Sequence, residues 1–107
     1  MESKELKGYI ANTKEVSEAS TYDLDIVKTN GEAVNFGWIT SDDGEIFVQV
    51  NDIGALKIIL QAGDTINFEI DEQWILKRII ITTDSVADLT VRYFFKNTLK
   101  IDLLKGE

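Results

Sequence analysis

Through most of this chain apolar and polar residues alternate with a period of two, in short segments separated by turns that carry glycine, asparagine or aspartate. Leu6 to Ala11 opens a first strand, and the polar stretch Thr13 to Thr21 reads as a loop or a ragged extension of it. Tyr22 to Lys28 sets Tyr22, Leu24 and Ile26 on one side and Asp23 and Asp25 on the other. Asn30-Gly31 then predicts a two-residue type I′ turn, because that turn needs positive φ at both central residues. Ala33 to Thr40 is the return strand, Ser41-Asp42-Asp43-Gly44 a second turn, and Glu45 to Val50 a third strand. Asp52 to Ala62, with Ile53, Leu56, Ile58, Ile59 and Leu60, suits a short helix or an apolar connector. Gly63-Asp64 turns into a strand over Thr65 to Ile70, Asp71 to Gln73 turns again, and Ile75 to Thr82 is β-branched and extended.

Three strands joined by tight turns form an antiparallel meander, and five strands by residue 82 match the opening of a small closed barrel. The fold expected is therefore all-β, a five-stranded OB-fold-like antiparallel barrel over residues 1–82. It carries an inserted hairpin or loop near the N-terminus. Residues 83–107 form a C-terminal extension packed on the same domain. In that extension Leu89, Val91, Tyr93 and Phe95, then Leu99, Ile101 and Leu103, alternate as a hairpin with Asn97 at its turn. A helix is the competing reading, since Asp84 is a cap residue and Val86, Leu89, Tyr93, Asn97, Ile101 and Leu104 share one helical face. The β-branched and aromatic content favours strands.

A length of 107 residues fits one core, and no stretch rich in glycine and serine marks a linker. The chain lacks cysteine, histidine and proline. Without cysteine there is no disulfide framework or thiolate metal site, and without histidine general-base chemistry loses its commonest agent. The carboxylates at Asp23 and Asp25 read as a solvated strand face, and those at Asp42, Asp43 and Glu45 as a turn. No phosphate-cradling glycine loop occurs. Neither catalytic residues nor a metal or cofactor are expected. No apolar run approaches the length of a membrane span, and Met1 to Lys7 has no signal-peptide core, so a cytoplasmic protein is expected.

The net charge of −8 changes the picture of any partner. Acid concentrates in residues 41–75, where Asp42, Asp43, Glu45, Asp52, Asp64, Glu69, Asp71 and Glu72 face Lys57 alone, whereas Lys77, Arg78, Arg92, Lys96, Lys100 and Lys105 make the C-terminal part mildly basic. A long duplex footprint would lack cations, while short single strands held by stacking need few.

One stretch carries a family resemblance. Phe36-Gly37-Trp38-Ile39, the acidic glycine turn after it, and Ile46-Phe47-Val48-Gln49 are similar to the signature strands of cold-shock domains. Ala62 to Ile70 resembles a later strand of that family, and Lys7-Gly8-Tyr9-Ile10 its opening strand. The resemblance is good over residues 35–70 and poor elsewhere. Gln49 stands where the family has histidine, and Val34-Asn35 replaces its lysine-glycine pair. What it implies is an OB barrel that binds single-stranded nucleic acid.

Parity leads to the same surface independently. With an even-numbered turn between the strands, Phe36 and Trp38 share a face with Phe47 and Gln49, while Gly37, Ile39, Ile46, Val48 and Val50 face the core. Phe36, Trp38 and Phe47 would then stack bases, Gln49 would read a base edge, and Lys28, Lys7 or the basic tail would meet phosphates. The expected ligand is single-stranded RNA or DNA, with RNA preferred, at modest, micromolar affinity. An odd-numbered turn would split the aromatics, and Tyr93, Phe94, Phe95 and Leu99 would be placed to cover them. The alternative is thus an acidic protein-interaction or assembly module without nucleic-acid binding, with dimerisation through the C-terminal extension open.

Overall fold

The alternation is realised most fully where the sequence left helix and strand in competition. In the computed structural model, which describes residues 9–68 and 75–97, Leu89–Lys96 is an eight-residue strand. Its Leu89, Val91, Tyr93 and Phe95 are buried, while Thr90, Arg92, Phe94 and Lys96 face outward. The expected second limb of that hairpin, residues 98–107, lies outside the described residues, as do the start of the first strand before Tyr9 and the turn at Asp71 to Gln73.

Eight strands are described: β1 (Tyr9–Val16), β2 (Tyr22–Asp25), β3 (Phe36–Ser41), β4 (Ile46–Val50), β5 (Ile58–Leu60), β6 (Thr65–Phe68), β7 (Arg78–Thr82) and β8 (Leu89–Lys96). They form two four-stranded antiparallel sheets, ordered β1-β8-β3-β6 and β2-β7-β4-β5. Strand one pairs with eight, two with seven, three with six and four with five. This nesting is what a long antiparallel ribbon gives when rolled up, the jelly-roll arrangement of two facing sheets. The all-β expectation holds, but the sheets do not close into a five-stranded barrel. Within the segment read as a C-terminal extension, residues 89–96 form β8, which lies between β1 and β3 at the centre of its sheet.

Three local readings change for one reason, that strand pairing here is long-range. The predicted strand from Tyr22 stops at Asp25, whose carboxylate accepts the Lys28 N–H and caps a one-turn helix α1 (Ile26–Asn30). Gly31 does adopt positive φ (89°), yet it uses it as a helix C-cap donating to the Val27 carbonyl, so no hairpin joins β2 to β3. Thr13 to Val16, read as a loop or a ragged extension of the first strand, does extend β1. As an edge strand with one outward face, β1 tolerates Thr13 and Glu15, and Lys14 lies over the Tyr22 ring. The expected helix or connector after Asp52 ends in β5, paired with β4.

Between the sheets lies one core. Val16, Ile39, Phe68, Leu89, Val91, Tyr93 and Phe95 from one sheet meet Leu24, Ile46, Val48, Leu60, Ile79 and Ile81 from the other. An aromatic run crosses it: Tyr22 and Tyr93 stack at 5.9 Å, Tyr93 and Phe95 at 5.5 Å, and Phe95 meets Phe68 at 6.1 Å. The Tyr22 and Tyr93 hydroxyls share a hydrogen bond of 2.7 Å, and burial, aided by that bond, pushes the Tyr22 hydroxyl above the ordinary tyrosine range. Tyr22→Phe leaves the Tyr93 hydroxyl, only 5% exposed with its ring, without this partner, and is expected to destabilise by about 1–2 kcal/mol. Phe at both positions removes the orphan, so urea denaturation should find the double variant more stable than the sum of the two single changes implies.

Candidate functional site

Strand parity sends Phe36 and Trp38 outward from β3, and Phe47 and Gln49 outward from β4, as expected from their alternation with Gly37, Ile39, Ile46 and Val48. The cross-strand step of that expectation fails. Strands β3 and β4 belong to different sheets, so the four side chains leave from opposite faces of the sandwich. The turn from Ser41 to Gly44 carries the chain from one sheet to the other instead of closing a hairpin, and the two strands that carry the cold-shock resemblance are not paired.

On the face of β2-β7-β4-β5, Phe47 is half-buried with Lys57 Nζ 5.3 Å above its ring. Gln49 is buried, and its amide donates to the carbonyls of Ile53 and Ala55, tying the β4–β5 connector down. The Gln49 amide NH2 is thus engaged within the fold. Lys28 is exposed on α1, outside the strands of both sheets.

The opposite face, that of β1-β8-β3-β6, gathers aromatics that the strand alternation alone did not group. Phe94 of β8 is the register partner of Trp38 on one side and Ala11 of β1 on the other. Trp38 and Phe94 stack with centroids 6.4 Å apart and planes 25° apart, and Tyr9 continues the row, 5.6 Å from Phe94 at 32°. Phe36 stands one pair along, opposite Lys96, whose Nζ is 5.5 Å from its ring centroid. Tyr9 is 42% exposed and the other three rings are half-buried, so the row is open to solvent. Tyr9 and Phe94 were the residues missed. The signal for them was the outward parity of β1 and β8, which could be assigned to this face only once β8 was known to lie between β1 and β3.

Gly37, between the two aromatics of β3, lets this row form. A Cβ there would collide with the Phe94 carbonyl oxygen and stand 2.5 Å from Phe95 Cδ1, so only glycine allows β3 so close to β8. Beside the row lies a shallow, open depression of about 370 Å³, lined by Ala11, Asn12, Thr13, Trp38, Arg92 and Phe94. Its charged border is a fixed pair. The Arg92 guanidinium grips the Asp42 carboxylate two-fold, Nη2 to Oδ1 at 2.9 Å and Nε to Oδ2 at 3.0 Å.

No protein-family model matches this chain, and no curated protein matches it. Among solved structures it is similar to one described as the crystal structure of FeII HppE, with a TM-score of 0.54 and 9% identity, covering 82% of this chain and 42% of that one. The likeness is one of fold, and this chain spans less than half of that protein. The iron in that description belongs to HppE. Here histidine and cysteine are absent from the sequence, and among the described residues no three acidic side chains come together as a metal site. The space between the sheets is occupied by the aromatic run from Tyr22 to Phe68. Among the described residues no helix is long and apolar enough to cross a membrane.

Proposed function

We propose that this chain is a non-catalytic binding module that takes a ring-bearing linear ligand by stacking on the outer face of β1-β8-β3-β6. The observation that supports it is the row Tyr9–Phe94–Trp38, with Phe36 beside it, half-open to solvent on a sheet whose other side already fills the core. Cross-strand pairing of these rings adds modestly to folding, but a contiguous aromatic row left open to solvent is the mark of a contact surface. Rings pre-set by packing lose little freedom when a ligand stacks on them, and each stacked base or comparable ring contributes about 1–3 kcal/mol. The stacking surface expected from sequence is carried forward on a changed set of residues: Phe36 and Trp38 remain, Tyr9 and Phe94 join, and Phe47, Gln49 and Lys28 drop out.

The test uses Trp38 as its own reporter. In a Trp74→Phe background, leaving one of the two tryptophans, fluorescence is titrated with short oligo-U and with neutral hexose oligosaccharides. A saturable change with either, weakened about ten-fold or more by Phe94→Ala while circular dichroism is unchanged, is the expected result. No change with either, the fold intact, overturns the reading.

A protein-interaction module is the second reading, and a different surface favours it. Ile53, Leu56 and Ile59, at the β4–β5 connector and on the edge strand β5, are 63%, 91% and 55% exposed. An aliphatic cluster beside an unpaired strand edge suits contact with another protein better than contact with a polar polymer.

A further inference from the structure

We infer that the ligand of the aromatic face is an uncharged carbohydrate chain of pyranose rings, not a polyanion; this rests on the face being the binding surface proposed above. The first support is charge. Among the described residues two cations border the row, and both are engaged: Arg92 by Asp42, and Lys96 over the Phe36 ring. Asp43 adjoins Asp42 in the same turn, its carboxylate holding the Thr90 N–H, and the chain as a whole carries −8. Among the described residues, a phosphate backbone laid along the row meets this field with only these two engaged cations, so the term that dominates nucleic-acid affinity is weak there. A neutral sugar loses nothing to it.

The second support is the match of chemistry. A pyranose presents an apolar face of C–H groups, which packs on an aromatic ring, and a rim of hydroxyls that need donors and acceptors at the ring's edge. The depression beside Trp38 and Phe94 offers both. Its floor is Ala11, whose small side chain opposite Phe94 leaves the space open. At its rim the Arg92–Asp42 pair holds guanidinium donors and carboxylate acceptors in fixed positions, which suits a pair of neighbouring hydroxyls. Thr13 lies on the same rim, and Asn67, the exposed register partner of Trp38 on β6, adds an amide on the far side. A sugar ring seated there stacks on Trp38 or Phe94, and the next rings of the chain follow the row toward Tyr9 or Phe36.

The experiment is native affinity electrophoresis in gels containing soluble neutral polysaccharides (a mixed-linkage β-glucan, hydroxyethylcellulose, xylan, galactomannan and dextran). It is paired with the Trp38 titration using the matching oligosaccharides and oligo-U, at low salt and at ten-fold higher salt. At least one neutral polysaccharide is expected to retard the protein equally at both salt concentrations. Trp38→Ala and Ala11→Leu should each weaken that binding ten-fold or more. Ala11→Leu fills the depression from an exposed position on an edge strand, so its effect does not depend on removing an aromatic that also packs. Binding of oligo-U that fades with salt, with no response to any glycan, overturns the carbohydrate inference and leaves the binding face standing. No response to either class, with circular dichroism unchanged, overturns both.

Discussion

Gly37→Ala is expected to lower the stability of this protein by about 3 kcal/mol, at the upper end of the cost of overpacking, and its Tm by on the order of 10–20 °C. The reason is what the added Cβ would meet. The Phe94 carbonyl oxygen and the Phe95 Cα, the latter at 2.9 Å, are backbone atoms of the paired strand and have no rotamer into which to retreat. The Phe95 ring, at 2.5 Å, is fully buried. Relief therefore requires β3 to move away from β8 along the centre of its sheet. Gly54→Ala is the control, since a Cβ there meets only Asp52 Oδ1, at an ordinary 3.6 Å, and should change stability by a few tenths of a kcal/mol. Thermal and urea denaturation of both variants check the pair. A Gly37→Ala protein as stable as Gly54→Ala would show that the strands are not so closely apposed. Because Trp38 and Phe94 ride on the same two strands, ligand binding should weaken in Gly37→Ala as well.

Phe95→Ala is expected to cost more, about 3–5 kcal/mol, the range for truncating a buried aromatic. Phe95 has no exposure, sits between Tyr93 and Phe68 in the aromatic run, and belongs to the strand that joins β1 to β3. Its loss leaves a cavity lined by rings too large to collapse into it. Domains of this size are stable by only about 5–15 kcal/mol, so the midpoint in urea should fall by a large fraction while the slope stays the same. Phe95→Leu should restore part of the loss. A loss below about 1 kcal/mol for Phe95→Ala would mean that β8 is not the middle of a sheet.

The contrast between Phe94 and Phe47 shows how much of the site was legible. In the structure both face outward. Phe47 was grouped with Trp38 because a short acidic turn separates their strands in the chain, while Phe94 was read only as a residue placed to cover the aromatics. In space Phe94 stacks on Trp38, and Phe47 lies across the sandwich. Asn30-Gly31 makes the same point on a smaller scale. Its positive φ was readable, but a glycine at positive φ serves a hairpin and a helix cap equally well, and the local chain does not distinguish them.

What the sequence determines by itself is therefore whatever depends on neighbours along the chain: the β character, the inward and outward sets of each strand, and the positions of the turns at Gly31, Gly44 and Gly63. A side-chain period of two is covalent geometry, and it holds whichever strand lies alongside. Which strand does lie alongside was decided only by the tertiary structure. Nearly every strand here has an apolar side to bury, so several pairings satisfy the local pattern, and the nested order prevails because it lets both sheets cover one core at once. The candidate binding face is a product of that choice, since Tyr9, Trp38 and Phe94 share no local segment and meet only because β8 passes between β1 and β3.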